Sequence, residues 1–185
     1  MTILVTGCAG FIGSHVVKTL LARGEVVLGL DNINDYYDVS LKRNRLVDIS
    51  DSGRASETSF EFQEMDIQDN EGLAKLFAKH QVKKVVHLAA QAGVRYSIEN
   101  PRAYIDTNIV GFLNILQSCQ ANEVDHLVYG SSSSVYGNNK KIPYSVDDSV
   151  DNPISMYAAT KKSNELMAHV FSHLYKMPTT GLRFF

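Results

Sequence analysis

The residues that decide the fold are Thr2-Ile-Leu-Val-Thr-Gly7-Cys-Ala-Gly10-Phe-Ile-Gly13. A β-branched and apolar run, Thr2–Thr6, ends in glycines spaced G-x-x-G-x-x-G, and an amphipathic segment over 12–23 follows at once. A strand can pass into a helix this abruptly only if the backbone turns sharply, which Gly7 permits. Gly10 leaves no side chain between the backbone and a pyrophosphate, and Gly13 lets helix and strand approach closely. The helix N-terminus then offers free N–H groups and the positive end of its dipole to phosphate oxygens. Strand, turn, helix and a second strand at Val26–Leu30 come in order. That context turns a glycine pattern into a dinucleotide-binding fingerprint.

Working outward, short apolar runs alternate with helix-length segments. Strands are predicted at 2–6, 26–30, 60–65, 84–88, 127–131 and 180–185, and helices near 12–23, 70–80, 101–121 and 155–175, with a shorter one near 40–50. Asn100-Pro101 and Asn152-Pro153 read as helix-start signals. Strand–helix–strand repetition requires crossovers that return over the sheet, so the fold class is α/β: a doubly wound, Rossmann-type parallel sheet with helices on both faces. Ligands of such sheets sit outside the carboxyl ends of the strands. The polar stretches 50–59 and 137–153 read as surface loops. The sequence stops at Phe185, inside the sixth strand, so residues 1–185 are expected to be an incomplete domain, truncated at that strand.

Composition excludes several classes. An apolar fraction of 44% with 21% charged residues belongs to an ordinary globular protein. The net charge is −2 with Lys and Arg spread along the chain, which gives no footprint for nucleic acid or an anionic membrane. No apolar run approaches the roughly 18 residues of a membrane span. The N-terminus enters a strand directly, unlike a signal peptide. Cys8 and Cys119 form no C-x-x-C pair, and the six His show no metal-ligand spacing, so a cytoplasmic protein without a metal is expected.

Asp31 ends the second strand, 18 residues after Gly13. A carboxylate there accepts hydrogen bonds from a ribose 2′-OH and repels a 2′-phosphate, which favours NAD over NADP. Lys42, Arg43 and Arg45 are near in sequence and could host a phosphate, but a solvated helix face accounts for them more simply. Tyr157 and Lys161 stand at i, i+4, on one helix face, where a cation lowers the tyrosine pKa and suits it to proton exchange with a substrate hydroxyl. The run Ser131–Ser134 falls at the carboxyl edge of the fifth strand, where a hydroxyl can bridge substrate and tyrosine.

The set GCAGFIG, DNIND, HLAAQAGVRYS, SSSSVYG, YAATK and LRFF resembles the extended short-chain dehydrogenase/reductase family, and within it the NAD-dependent nucleotide-sugar epimerases, UDP-glucuronate 4-epimerases above all. The resemblance implies catalytic roles for Ser132, Tyr157 and Lys161, with Tyr157 as acid/base, Lys161 lowering its pKa and holding the nicotinamide ribose, and Ser132 on the sugar 4-OH. It implies cofactor contacts from Gly7, Gly10, Phe11, Ile12, Gly13, Asp31, Asn32 and Asn34, with Asp66 and Ile67 flanking the adenine. Leu88, Ala89, Ala90 and Gln91 line the cofactor path, Thr107 or Asn108 contributes from the next helix, and Phe185 lies near the nicotinamide. Arg95, Ser132 and Ser133 are the implied substrate contacts.

The reaction implied is 4-epimerisation of a UDP-sugar, UDP-glucuronate to UDP-galacturonate, through a transient 4-keto sugar, in the setting of polysaccharide biosynthesis. Related 4,6-dehydratases carry Asp-Glu after the catalytic serine or threonine, and UDP-glucuronate decarboxylases carry Glu before V-Y-G. Here Ser133 and Ser134 occupy those positions. UDP-glucose/galactose 4-epimerase is the nearest rival. Arg95 suits a carboxylated sugar, and a surface salt bridge accounts for it equally well. The family's C-terminal substrate-binding domain is expected to be absent from residues 1–185, which leaves an inactive NAD-binding fragment as the other reading. A homodimer is the assembly the resemblance allows for the full-length form.

Overall fold

The computed structural model describes residues 1–55 and 58–185. Six strands form one parallel sheet: β1 (Thr2–Thr6), β2 (Val26–Asp31), β3 (Phe60–Glu64), β4 (Val82–His87), β5 (His126–Ser132) and β6 (Thr179–Phe184). Their order is β3-β2-β1-β4-β5-β6, so the chain reverses direction across the sheet between β1 and β4. This is the doubly wound arrangement the sequence predicts, and the reversal opens a crevice at the carboxyl ends of β1 and β4.

Two apolar layers sandwich the sheet. On one face Val17 and Leu21 of α1 (Phe11–Ala22) and Ile49 of α2 (Val39–Ala55) pack on Ile3, Val5 and Val27. On the other, Leu73 and Phe77 of α3 (Asn70–His80) and Phe112, Ile115 and Leu116 of α6 (Phe112–Ala121) pack on Leu4, Leu28, Val85 and Leu127. Ala168 of α7 (Met156–Tyr175) joins the second layer. Alternate residues of β1 therefore face opposite layers, and all but the first, Thr2, are buried, as a central parallel strand requires.

Several boundaries differ from the sequence reading. Helix α2 continues through residue 55, so 50–55 is helical instead of loop, and the part of the 50–59 stretch at 56–57 lies outside the described residues. Asn100 does cap its helix, accepting from the Ala103 N–H with Pro101 behind it. Asn152-Pro153 does not start α7: Ser155 is the cap, accepting from the Ala158 N–H at 3.0 Å. A serine oxygen can satisfy that free N–H, and a proline cannot. The helix foreseen over 101–121 is continuous but changes pitch. Residues Pro101–Tyr104 (α5) are α-helical, Ile105–Gly111 form a π-helical segment, and α6 resumes. A short helix, α4 (Tyr96–Glu99), and a 3₁₀ turn at Ser133–Tyr136 escaped the sequence reading altogether.

Candidate functional site

The glycine turn is built as its spacing requires. Gly7 has φ +69°, and a Cβ there would stand 2.7 Å from the Ala89 backbone nitrogen, just past the end of β4. At Gly13 a Cβ would lie 2.0 Å from the Gly7 carbonyl oxygen. At Gly10 it would meet only that same oxygen, at 3.1 Å. Gly7 and Gly13 thus lock strand to helix, and Gly10 leaves the approach to the helix N-terminus clear. Phe11 and Ile12 stand exposed on the first turn of α1, beside that approach.

A cleft with a cavity volume of about 170 Å³ opens over this turn. Of the sequence-predicted residues, Gly7, Gly10, Asp31, Asn32, Asn34, Ile67, Leu88, Ala89, Ala90, Gln91 and Thr107 line it. Tyr36 and Tyr37, which the sequence reading missed, line it as well, and so does Lys42, which that reading set aside as part of a solvated helix face. Asp66 stands just behind the lining, where its carboxylate accepts from the Asn32 amide at 2.8 Å and from the Gln68 N–H. Asp31 is buried and accepts from the Ala9 N–H at 3.1 Å and the Ile33 N–H at 2.9 Å, one on each oxygen. Each carboxylate oxygen keeps acceptor capacity for a ribose hydroxyl.

Thr107 and Asn108 differ in burial. Thr107 faces the cleft, and Asn108 lies inside, clamping Gln91 by accepting from its N–H and donating to its carbonyl. Asn108 also donates to Thr160 at 3.1 Å, and its own carbonyl accepts from Asn164 at 2.6 Å. The π-helical pitch is what turns this asparagine to the interior, a distortion common at functional sites.

The cleft fits a dinucleotide. It pairs an open glycine approach at a helix N-terminus with a buried carboxylate at the neighbouring strand end. It also holds a buried donor, Gln91 Nε2, that has no partner among the described residues.

Beneath the cleft, Thr6 and His87 tie the ends of β1 and β4 together. Thr6 Oγ1 accepts from the Leu88 and Ala89 N–H groups at 3.2 Å each, so its own hydrogen points to His87 Nδ1 at 2.8 Å. His87 stacks on Phe112 and is fully enclosed. Burial, assisted by the nearby Lys161 charge, holds its pKa down at about 3. The unfolded chain takes up this proton near the ordinary value of 6.5 and the folded one does not. Stability contributed by neutral His87 is thus complete above pH 6.5 and is lost as pH falls toward 3, by about 1.4 kcal/mol per unit. His87→Gln, which keeps an acceptor for Thr6, should flatten this slope. Urea melts between pH 6.5 and 4.5 check it, and parallel slopes for the two proteins would refute it.

Tyr157 and Lys161, in the first turns of α7, do not act on each other as their spacing predicts. Lys161 is buried and donates to the Gly130 carbonyl at 2.7 Å, and burial lowers its pKa to about 8. Burial pushes the half-buried Tyr157 phenol above its ordinary value, and only contact with the Ser132 hydroxyl pulls it back. Ser132 ends β5 with its oxygen accepting from the Ser134 N–H at 3.1 Å, and Ser133 follows it in the 3₁₀ turn.

Ser131 belongs to a different network. Its hydroxyl donates to Glu165 at 2.7 Å, and Glu165 also receives Arg183 in a two-point ion pair at 2.9 and 3.0 Å. This network pins the ends of β5 and β6 to α7. Phe185 is exposed and stacks on Tyr144 with ring centres 6.2 Å apart, and it is not among the residues lining the cleft. Arg95 precedes α4, exposed, with no ion-pair partner among the described residues. Among the described residues no helix is long and apolar enough to cross a membrane.

Comparison with known proteins agrees with this geometry. Residues 4–185 match the family described as GDP-mannose 4,6 dehydratase. The chain is 57% identical over 185 residues to Protein CapI of Staphylococcus aureus, covering all of this chain and 54% of that protein. It is 52% identical over 186 residues to UDP-glucuronate 4-epimerase 4 of Arabidopsis thaliana, covering all of this chain and 41% of that one. The crystal structure of UDP-glucuronic acid 4-epimerase from Bacillus cereus, in complex with UDP-glucuronic acid and NAD, superimposes with a TM-score of 0.87 at 34% identity, covering 99% of this chain and 56% of that one. The chain thus spans about half the length of the relatives it matches.

Proposed function

The chain belongs to the GDP-mannose 4,6 dehydratase family, and from that premise we propose that it is the NAD-binding part of a UDP-sugar 4-epimerase acting on UDP-glucuronate. The observation that carries this reading is Ser132 in contact with Tyr157 at the carboxyl edge of the sheet, with serines and no carboxylate at 133 and 134. A dehydratase needs an acid and a base there for elimination, and two hydroxyls cannot supply them near neutral pH.

Bound NAD supplies the hydride acceptor and donor. The chain's own residues bind, orient and move one proton. Gly7, Gly10 and the α1 N-terminus receive the pyrophosphate, and Asp31 takes the adenosine ribose. Asn108, through its clamp on Gln91, holds the wall between cleft and tyrosine. The Ser132 contact favours the Tyr157 phenolate against the effect of burial, and it is the phenolate that accepts the 4-OH proton in the outward direction. The phenol so formed, which burial favours, returns that same proton to the sugar 4-oxygen. Lys161, anchored on Gly130, has two N–H groups left for the nicotinamide ribose.

Arg95, unpaired and exposed, is the cation on this half that suits the sugar carboxylate. The UDP end is held, in this reading, by the region that the longer relatives have beyond the matched half. A cytoplasmic setting, a role in polysaccharide biosynthesis and a homodimer of the full-length form belong to the same proposal. The test is turnover by the full-length protein, followed by NMR of the sugar 4-proton. UDP-glucuronate should be converted to UDP-galacturonate at least about tenfold faster than UDP-glucose to UDP-galactose, because one desolvated charge pair is worth that much. Preference for UDP-glucose would replace the substrate assignment.

A further inference from the structure

Lys42 is not on a solvated helix face. It comes from α2, folds back over the end of β2 and is buried at the ribose end of the cleft, with its side chain only 6% exposed. Its ammonium donates to the Asn34 side-chain oxygen at 2.7 Å and stands 3.7 Å from Asp31 Oδ1. That second distance is an ionic contact and too long for a hydrogen bond. The Tyr37 ring lies under it at 5.0 Å and holds it in place. Arg45 flanks the same ring and is committed to the Ala9 carbonyl and the Tyr37 hydroxyl. Arg43 alone faces solvent, beside Glu64. Lys42 therefore has donor capacity left, and its counter-charge in the cleft is Asp31.

We propose that Lys42 sets the choice between the two nicotinamide dinucleotides. Asp31 accepts the ribose hydroxyls and at the same time masks a lysine that, unmasked, receives a 2′-phosphate. The inference rests on the dinucleotide reading of the cleft and adds a specificity residue to it. With the carboxylate in place the pair is neutral and a doubly charged phosphate gains little from it. Without it, a buried ammonium on a rigid platform is left with no anion, and phosphate is the partner such a point charge takes.

The experiment is calorimetric titration of the 185-residue chain with NAD and with NADP. The proteins compared are wild type, Asp31→Asn, Lys42→Met and the double variant, with circular dichroism to confirm folding. Asp31→Asn should bind NADP about tenfold or more tighter than wild type does, as expected for one hydrogen bond to a charged group. Adding Lys42→Met should erase that gain. A gain that persists without Lys42, or no gain at all, overturns the proposal. Should Asp31→Asn fail to fold, Lys42→Met alone decides. It should widen the ratio of the NADP to the NAD dissociation constant several-fold, and an unchanged ratio refutes the assignment. If wild type binds neither dinucleotide, the cofactor reading itself fails. If it binds NAD and the ratios do not move, only the role of Lys42 fails.

Discussion

Tyr157→Phe should reduce the proposed epimerisation by about 10³-fold or more, and leave NAD affinity within about twofold of wild type. Positioned proton transfer contributes 10²–10⁴ to rate, and the phenol hydroxyl is the group that contacts Ser132 at the sheet edge. The ring remains, so packing against Tyr104, whose ring centre is 6.1 Å away, is conserved. A loss confined to kcat, with KM and cofactor binding held, identifies a catalytic group. Retained turnover would remove Tyr157 from the chemistry.

The second large effect is Gly13→Ala. Alanine is favoured over glycine in a helix by about 1 kcal/mol. Here its Cβ would enter the Gly7 carbonyl at 2.0 Å, with the Cys8 Cα at 3.0 Å behind it. Both are backbone atoms at the base of the turn, and neither can yield as a side chain would. The clash therefore wins, at about 3 kcal/mol by the scale of overpacked cores. For a chain this long that lowers Tm by roughly 6–12 °C, and the displaced turn should abolish NAD binding. Gly24→Ala is the control. Gly24 has φ +81° with nothing within 4 Å of a Cβ, so backbone strain alone costs about 1–2 kcal/mol. NAD binding there should be unchanged. Equal behaviour of the two variants would contradict the account of the turn.

What the sequence revealed was whatever local spacing dictates. The glycine spacing, the strand alternation and the carboxylate at the end of β2 lie within one βαβ unit, where short-range geometry leaves few alternatives. Gly7, Gly10 and Asp31 accordingly line the cleft, whereas Asn32, Asn34, Ile67, Leu88, Ala89, Ala90, Gln91 and Thr107, which also line it, were named only through the family resemblance. Lys42, Tyr36 and Tyr37 were illegible because their place depends on how α2 returns over β2, which no local period encodes. The reading of Lys42 as solvated failed for that reason.

Tyr157 and Lys161 show a different limit. Their i, i+4 spacing put both on one side of α7, but the buried ammonium donates to the Gly130 carbonyl, a partner far away in sequence. The start of α7 was misread because Pro is a frequent first helical residue, while Ser155 had the better-placed oxygen. The π-helical pitch at Ile105–Gly111 left no mark in composition, so Asn108 could not be separated from Thr107 without coordinates.

The claim on which the rest depends is that the cleft above Gly7, Gly10 and Asp31 holds NAD. Isothermal titration of the folded 185-residue chain with NAD tests it most directly. The account predicts one saturable site per chain, with affinity lost in Gly13→Ala and unchanged in Tyr157→Phe. A folded chain that gives no binding heat, or binding that survives Gly13→Ala undiminished, would contradict it.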